Sequence, residues 1–354
     1  MTMKKFLALT LFLTMLCTCA LADTSLSNCA IANGNVQAVH YVDITAPYSG
    51  VVSAFDIAMG DSVKAGDELF RMMTTTIYAT EDGTVAAVFG TAGDDASALS
   101  ARYGAVTVVE PAQQLRLNAS TAGAYNDEDN KRLHVGETLY FRSNGTDKEE
   151  GSGRVISVSG SSYVVDVLEG DFKVGETMTL YRNDRYGTKD NVGKGSIVRR
   201  DALSAQGMGR IAEILAVKGQ QVKAGDALFT LMSSDADASA KPSVTIADDG
   251  VVGQVAVVAG QQVWKGQVLA RIYLTKEVEV VADVDEIDLA DLKVGDTLKI
   301  TLDTDADMII NGKVTEISAL GITKQNAAYY TVHVSIPADN AMLGGSASVY
   351  IPRK

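Results

Sequence analysis

Two different motifs recur in this chain, in the same order and at the same spacing. Gly60-Asp61-Ser62-Val63-Lys64-Ala65-Gly66-Asp67-Glu68-Leu69-Phe70 returns 159 residues later as Gly219-Gln220-Gln221-Val222-Lys223-Ala224-Gly225-Asp226-Ala227-Leu228-Phe229. Val135-Gly136-Glu137-Thr138-Leu139 returns at the same offset as Val294-Gly295-Asp296-Thr297-Leu298. Gly153-Arg154-Val155 against Gly312-Lys313-Val314 keeps it too, and Asp82-Gly83 aligns with Asp249-Gly250 at 167. A third copy of the first motif stands at Gly260 to Leu269, and Val174-Gly175-Glu176-Thr177 partly matches the second. Repeats of this kind decide the fold before any local propensity does. They describe a tandem duplication, A–B–A′–B′.

The A segments (44–110 and 195–274) consist of short alternating runs, such as Val251-Val252-Gly253-Gln254-Val255-Ala256-Val257, which read as strands. The Gly-x-x-Val-x-x-Gly pieces between them read as tight turns, where glycine supplies positive φ. Residues 209–229 resemble 250–270, so each A segment is expected to fall into two halves related by a pseudo-two-fold. The B segments (111–186 and 275–354) each open with a strand and then an acidic helical turn, Asn126-Asp127-Glu128-Asp129 and Asp285-Glu286-Ile287-Asp288. Acids suit the positive end of a short helix. Strands at hairpin spacing follow, which predicts a small antiparallel barrel. The fold class expected is all-β, with little helix.

The first residues read as an export signal. Lys4 and Lys5 precede an apolar run, Phe6 to Leu21, and Ala20-Leu21-Ala22 fits signal-peptidase cleavage after Ala22. About 16 residues is short for a bilayer span, so an uncleaved anchor is the alternative. Leu16 and Thr18 precede Cys17 and Cys19, which disfavours lipoprotein processing. Cleavage after Ala22 removes two of the 31 basic residues and none of the 44 acidic ones, leaving a net charge of −15. That balance argues against nucleic acid as a partner, because phosphates need clustered Lys and Arg. Cys29 remains as a lone cysteine, expected in a mobile N-terminal segment.

With these residues in view, the A segments resemble biotinyl/lipoyl-like domains, also called barrel-sandwich hybrids. The carrying residues are Ala46-Pro47-Tyr48-Ser49-Gly50-Val51-Val52 and Gly60 to Leu69, then Gly219 to Phe229, Asp249-Gly250-Val251-Val252 and Gly260 to Leu269. The B segments resemble the β-barrel domain of HlyD-type membrane fusion proteins, best over Val280 to Ile300. The resemblance implies a non-enzymatic adaptor, exported or membrane-associated on the extracytoplasmic face, that docks on an ABC-type permease or other membrane transporter and oligomerises there. A free-standing extracellular binding or scaffold protein is the alternative. Such adaptors usually insert a long coiled-coil hairpin between their lipoyl-like halves. Here the halves are joined near Met73-Thr74-Thr75-Thr76, and in the second copy by residues 233–243, which read as a flexible linker.

Other chemistries find little support. Carrier domains present a modifiable lysine at the tip between the halves. That tip holds threonines in one copy and only Lys241 in the other, while Lys64 and Lys223 belong to a different turn. A zinc peptidase needs converging histidines, and His40, His134 and His333 are far apart in sequence. Asp303-Thr304-Asp305-Ala306-Asp307 begins like an EF-hand, but Met308 and Val314 stand where glycine and glutamate belong. Trp264 occupies a turn position held by Lys64 and Lys223 in the other copies, as an exposed contact or as local packing. No catalytic, cofactor-binding or metal residue is expected, and no cofactor.

Overall fold

In the computed structural model the described residues are 28–125, 128–324, 327–340 and 342–353. The export segment with Cys17 and Cys19, and Asn126 and Asp127 of the first acidic turn, lie outside them. Strands dominate and form two closed barrels and two barrel-sandwich modules. The strand pairing departs from the expected partition.

Sandwich one combines residues 41–73 with 243–274. Tyr41–Thr45 pairs with Val268–Leu274, Gly50–Val51 with Gln262–Val263, and Glu68–Arg71 with Ser243–Thr245. Sandwich two combines 75–111 with 203–232. Thr75–Tyr78 pairs with Ala227–Met232, Gly83–Val88 with Gln221–Val222, and Thr107–Pro111 with Leu203–Ala205. Neither 44–110 nor 195–274 is therefore a folded unit. Each supplies one half of both sandwiches, and the two-fold mates are not 209–229 and 250–270.

The true mates are fixed by reciprocal backbone bonds. Gly60 N donates to Val252 O and Gly260 N to Val52 O, both at 2.8 Å; Gly66 N to Ile246 O and Gly266 N to Ala46 O repeat this. Every one of these pairs is related by an offset of 200. In sandwich two, Gly93 N donates to Ile211 O and Gly219 N to Val85 O, an offset of 126.

The barrels show the same exchange. Barrel one has the strand order Thr138–Ser143, Glu150–Ser159, Ser162–Glu169, Leu115–Ser120, Asn191–Arg199, Thr177–Tyr181. Barrel two repeats it as Thr297–Leu302, Asp305–Lys324, Ala327–Ile336, Val278–Asp285, Cys29–Ala38, Ser346–Pro352. The expected domains 111–186 and 275–354 each lacked one strand, supplied by the other repeat. Cys29 is accordingly in a strand, half-buried and opposite Pro352, rather than in a mobile tail.

The molecule is thus a pair of repeats, about 29–186 and 191–353, that exchange halves with one another. The path through 71–78 explains why. Arg71-Met72-Met73-Thr74-Thr75-Thr76-Ile77-Tyr78 contains no Gly, Pro, Asn or Asp, the residues that let a chain reverse, and its threonines favour extension. The chain runs straight out of sandwich one into sandwich two. Met72 is buried, its amide donating to Pro242 O while Met73 N donates to Val51 O. The modules follow in the order barrel two, sandwich one, sandwich two, barrel one, with the chain crossing every junction twice.

The recurring glycine motif has one local cause. In each copy the residue after glycine donates its amide back three residues, as Asp67 N does to Lys64 O at 3.0 Å, and its side chain accepts the amide of that residue, Lys64 N to Asp67 Oδ2 at 2.8 Å. The same closure occurs at Asp61, Asp94, Glu137, Glu176, Gln220, Asp226, Gln261, Gln267 and Asp296. Gly66 has φ +93° with nothing near its missing Cβ, so the turn demands glycine for its dihedral and not for space. Gly93 differs: φ is +91°, and a Cβ there would also lie 2.3 Å from Ala238 O. At this point the sequence signal was missed. In place of a second turn the chain makes a helix, α1 (Ala96–Tyr103), capped by Asp95, which accepts from the amides of Ser97 and Ala98, and closed by Gly104 at φ +80°.

Candidate docking surface at the sandwich crossover

A coiled-coil hairpin would leave a lipoyl-like module at the crossover between the two sandwiches. Here that place is occupied by residues 233–242, which tie the sandwiches to one another and are not a free linker. On one side Asp235 accepts from the Ser49 hydroxyl at 2.5 Å and the Ser49 amide at 3.0 Å, and Lys265 Nζ reaches Asp235 O at 2.9 Å and Asp237 Oδ1 at 2.8 Å. Ala236 and Met232 are buried in the core of sandwich one. On the other side Arg210, from sandwich two, donates to Ala236 O at 2.5 Å and to Gly93 O at 2.9 Å. Partial burial would raise the Asp235 carboxyl. The Ser49 hydroxyl, the Ser233 hydroxyl and the backbone amides of Ser49 and Asp235 together outweigh that and hold it below its ordinary value.

Beside this strap stands Trp264, which is 69% exposed. Its amide closes the Gln267 turn at 3.1 Å, so the backbone presents the indole outward and does not tuck it into the core. Trp264 is therefore exposed and not locally packed. Apolar turn residues are exposed elsewhere as well, at Met59 and Val258 of sandwich one and Val217 of sandwich two. In isolation such residues need no explanation. Next to a built polar strap, the indole makes this the best-defined face for a partner on the sandwiches.

The other singled-out residues disperse. His40 lies at the junction of barrel two and sandwich one, 3.6 Å from Glu277; His134 closes a barrel-one turn with Glu137; His333 pairs with Glu279 on barrel two at 2.9 Å. Lys64 and Lys223 lie in surface turns of different sandwiches. Lys241 belongs to the strap, and Thr75 and Thr76 are in the strand that enters sandwich two. In 303–307 the side chains of Asp305 and Ala306 are outside the described residues. Among the described residues no group of three metal-ligating side chains converges, and no helix is long and apolar enough to cross a membrane.

Sequence reasoning missed a second junction residue. Arg200, 8% exposed, bridges sandwich two and barrel one, donating to Glu81 at 2.6 Å and to Gln113 O at 3.4 Å. Lone arginines carry no sequence signal for such a role. Only the preceding Arg199, bonded to Glu110, hinted at a charged seam.

Comparison with known proteins gives these modules relatives. Residues 274–343 match the family model of the LcnD-like, C-terminal domain, which covers most of barrel two. A Bacillus subtilis (strain 168) protein named "Putative efflux system component YhbJ" is 27% identical over 166 residues, 42% of this chain and 73% of that protein. Among solved structures, the membrane fusion protein Spr0693 from Streptococcus pneumoniae R6 shares 22% identity at a TM-score of 0.25, over 32% of this chain and 49% of that one. MacA from Actinobacillus actinomycetemcomitans shares 11% at a TM-score of 0.37, over 92% and 78%. The chain thus spans about half the length of the pneumococcal structure, and TM-scores this low carry no functional argument. What the sequence comparisons carry is a likeness to an LcnD-like C-terminal domain over barrel two and to an efflux system component over 42% of the chain.

Proposed function

We propose that the protein is a non-enzymatic adaptor subunit, acting on the extracytoplasmic face of an ABC-type efflux or export system and assembling on its permease. The observation that carries this is the sequence match to an efflux system component, together with the LcnD-like match over barrel two. The fold is consistent with it. The barrel-sandwich and barrel modules are built from backbone pairing and apolar cores, and the exposed features are contact residues such as Trp264. Exchange of halves puts a barrel at either end of the module order, so one chain offers two docking modules where a single repeat would offer one.

In-cell cross-linking followed by purification of the tagged chain tests the reading. Recovery of a permease supports it, and loss of that product in Trp264→Ala assigns the crossover face to the contact. Recovery of no membrane protein favours the free-standing extracellular binding or scaffold protein. The net charge of −13 over the full chain opposes self-association in solution, since like charges repel over about 8–10 Å. Light scattering should therefore show a monomer or weak oligomer until the partner is added, and a stable ring of the isolated chain would contradict assembly on the partner.

A further inference from the structure

The two barrels share their strand order, so barrel one is an internal standard for barrel two. One feature of barrel two has no counterpart. In barrel one, Val155 leads into a hairpin that returns at its paired residue Val165. In barrel two the equivalent Val314 leads into one that returns at Val334, twice as many residues later. The extra length carries the hairpin roughly 13–16 Å further, at about 3.3 Å per residue. Between Ile317/Val332 and Gly321/Tyr330 the register shifts, so one strand bulges. The Ser318 hydroxyl accepts the Leu320 amide at 3.1 Å within the bulge, and the Leu320 side chain is 78% exposed. Ile322 is exposed on the same hairpin, and the Tyr330 ring lies over Gly321.

The neighbouring helical turn, Glu286–Leu289, packs on the returning strand and shows Ile287 at 83% exposure. At the 159-residue offset barrel one has Glu128. Ile31, also exposed, shares a cleft with Tyr329, Lys324, Asp283 and Asp288. Most of the charges in this patch are engaged, while Glu286, beside Ile287, is exposed. Lys324 pairs with Asp283 at 2.5 Å and Arg353 with Asp288 at 2.8 Å, and Asp285 caps the turn by accepting from Ile287 N at 2.9 Å. Arg353 N donates to Asn28 O, so Asn28 stands at this same end. Six residues, Ala22–Ser27, separate it from the apolar run ending at Leu21. Six residues span at most about 20 Å.

We infer that this end of barrel two rests on a lipid bilayer surface, with Ile287, Leu320 and Ile322 entering the interfacial layer and Tyr329 at headgroup depth. The composition is that of an interfacial surface: aliphatic tips, an amphipathic phenol behind them and mostly paired charges around them. Three aliphatic side chains give only weak, reversible contact, and the adjacent apolar run raises its effective concentration. The inference needs no transporter, so it stands or falls apart from the adaptor reading.

The test uses the full chain in phosphatidylcholine vesicles that contain no other protein. Trp264, the one tryptophan, is replaced by phenylalanine, and a probe is introduced as Leu320→Trp or, on the barrel-one hairpin, as Val158→Trp. The L320W probe should shift to the blue on reconstitution and lose its emission when brominated phosphatidylcholine is used. The V158W probe should do neither. Adding Ile287→Glu and Ile322→Glu to L320W should restore emission, with circular dichroism showing that the fold is kept. A barrel-two probe that stays unquenched, or quenching that survives both glutamates, overturns the inference. So does an L320W probe that is unquenched in lipid while cross-linking in cells to a membrane protein.

Discussion

Residues 41–111 expressed alone should not fold, whereas 41–73 joined through an Asn-Gly turn to 242–274 should. The first segment contains both A-type halves of one repeat and is the natural excision if the repeat were self-contained. Its half-core in sandwich one includes Ile44, Tyr48, Val52, Val63, Leu69, Phe70 and Met72, which share one buried cluster with residues of 232–272 from the other repeat. At about 2 kcal/mol for each large apolar side chain, losing that partner forfeits at most about 14 kcal/mol. That is the whole stability of a typical domain, 5–15 kcal/mol. In the second design Arg71 and Ser243 are already paired, so an Asn-Gly turn from Met73 to Pro242 closes a hairpin and all seventeen core residues but Met232 and Ala236 are kept. Circular dichroism and amide dispersion in two-dimensional NMR decide between them. A monomeric, cooperatively folded 41–111 would refute the exchange of halves.

Four further outcomes follow from the same structure. Linking Arg353 to Asn28 through a copy of the 182–190 loop and opening the chain between Tyr186 and Gly187 should give an equally stable permutant, because both barrels have the same strand neighbours; equilibrium unfolding in urea measures it. Gly66→Ala should cost about 1–2 kcal/mol, the price of left-handed φ alone, while Gly93→Ala should cost clearly more, because the strap backbone at Ala238 is in the way. The hydroxyl of Tyr48 is buried without a partner, and burial pushes its pKa up to about 12; Tyr48→Phe should raise thermal stability by about 1–2 kcal/mol, since it removes an unsatisfied group. The hydrogen bonds from Ser243 and Arg71 hold Glu68 below 4.5, and the Ser49 bonds hold Asp235 below 3.8 against partial burial. Both groups stabilise the fold above those unfolded values and stop doing so as pH falls through the lower folded ones. Stability should therefore be flat from neutrality to about pH 4.5 and fall below it, less steeply in Asp235→Asn.

What could be read from the sequence was what has a local cause. The x-x-Gly-[Asp/Glu/Gln] turn closes on itself through a backbone and a side-chain bond, so four residues are enough to announce it. The barrel strands alternate and are legible for the same reason. The helix Ala96–Tyr103 was locally encoded too, by Asp95 at its start and Gly104 at its end, but the repeat pattern drew attention to the turn it replaces. Cys29–Ala38 escaped notice because Gly34 and two asparagines weaken a strand reading, and its partners are some 250–320 residues away. The pairing of halves could not be seen at all from motif content. Gly60, Gly219 and Gly260 head nearly the same motif, so each half carries the same local instruction and none names its mate. Only the run through Met72 to Thr76, with no residue suited to reversal, distinguishes a straight passage from a fold-back. The exposure of Trp264 depends on what packs across from its turn and has no sequence signature.

The exchange also changes what a duplication means for function. Two self-contained repeats joined in tandem would be free to take any relative orientation, and each could dock independently. Exchanged halves remove that freedom, because every junction is crossed twice and two are further clamped, by the strap with Asp235, Ser49 and Arg210 and by the buried Arg200. The two barrels become inequivalent only through substitutions and insertions within a shared frame. Selection for a partner at one end therefore leaves a direct trace: an apolar residue at one barrel where its twin has a charge, as with Ile287 and Glu128, or added length in one hairpin and not the other. By that criterion barrel two, which carries the longer hairpin and the exposed Ile287, is the end on which a partner is to be sought.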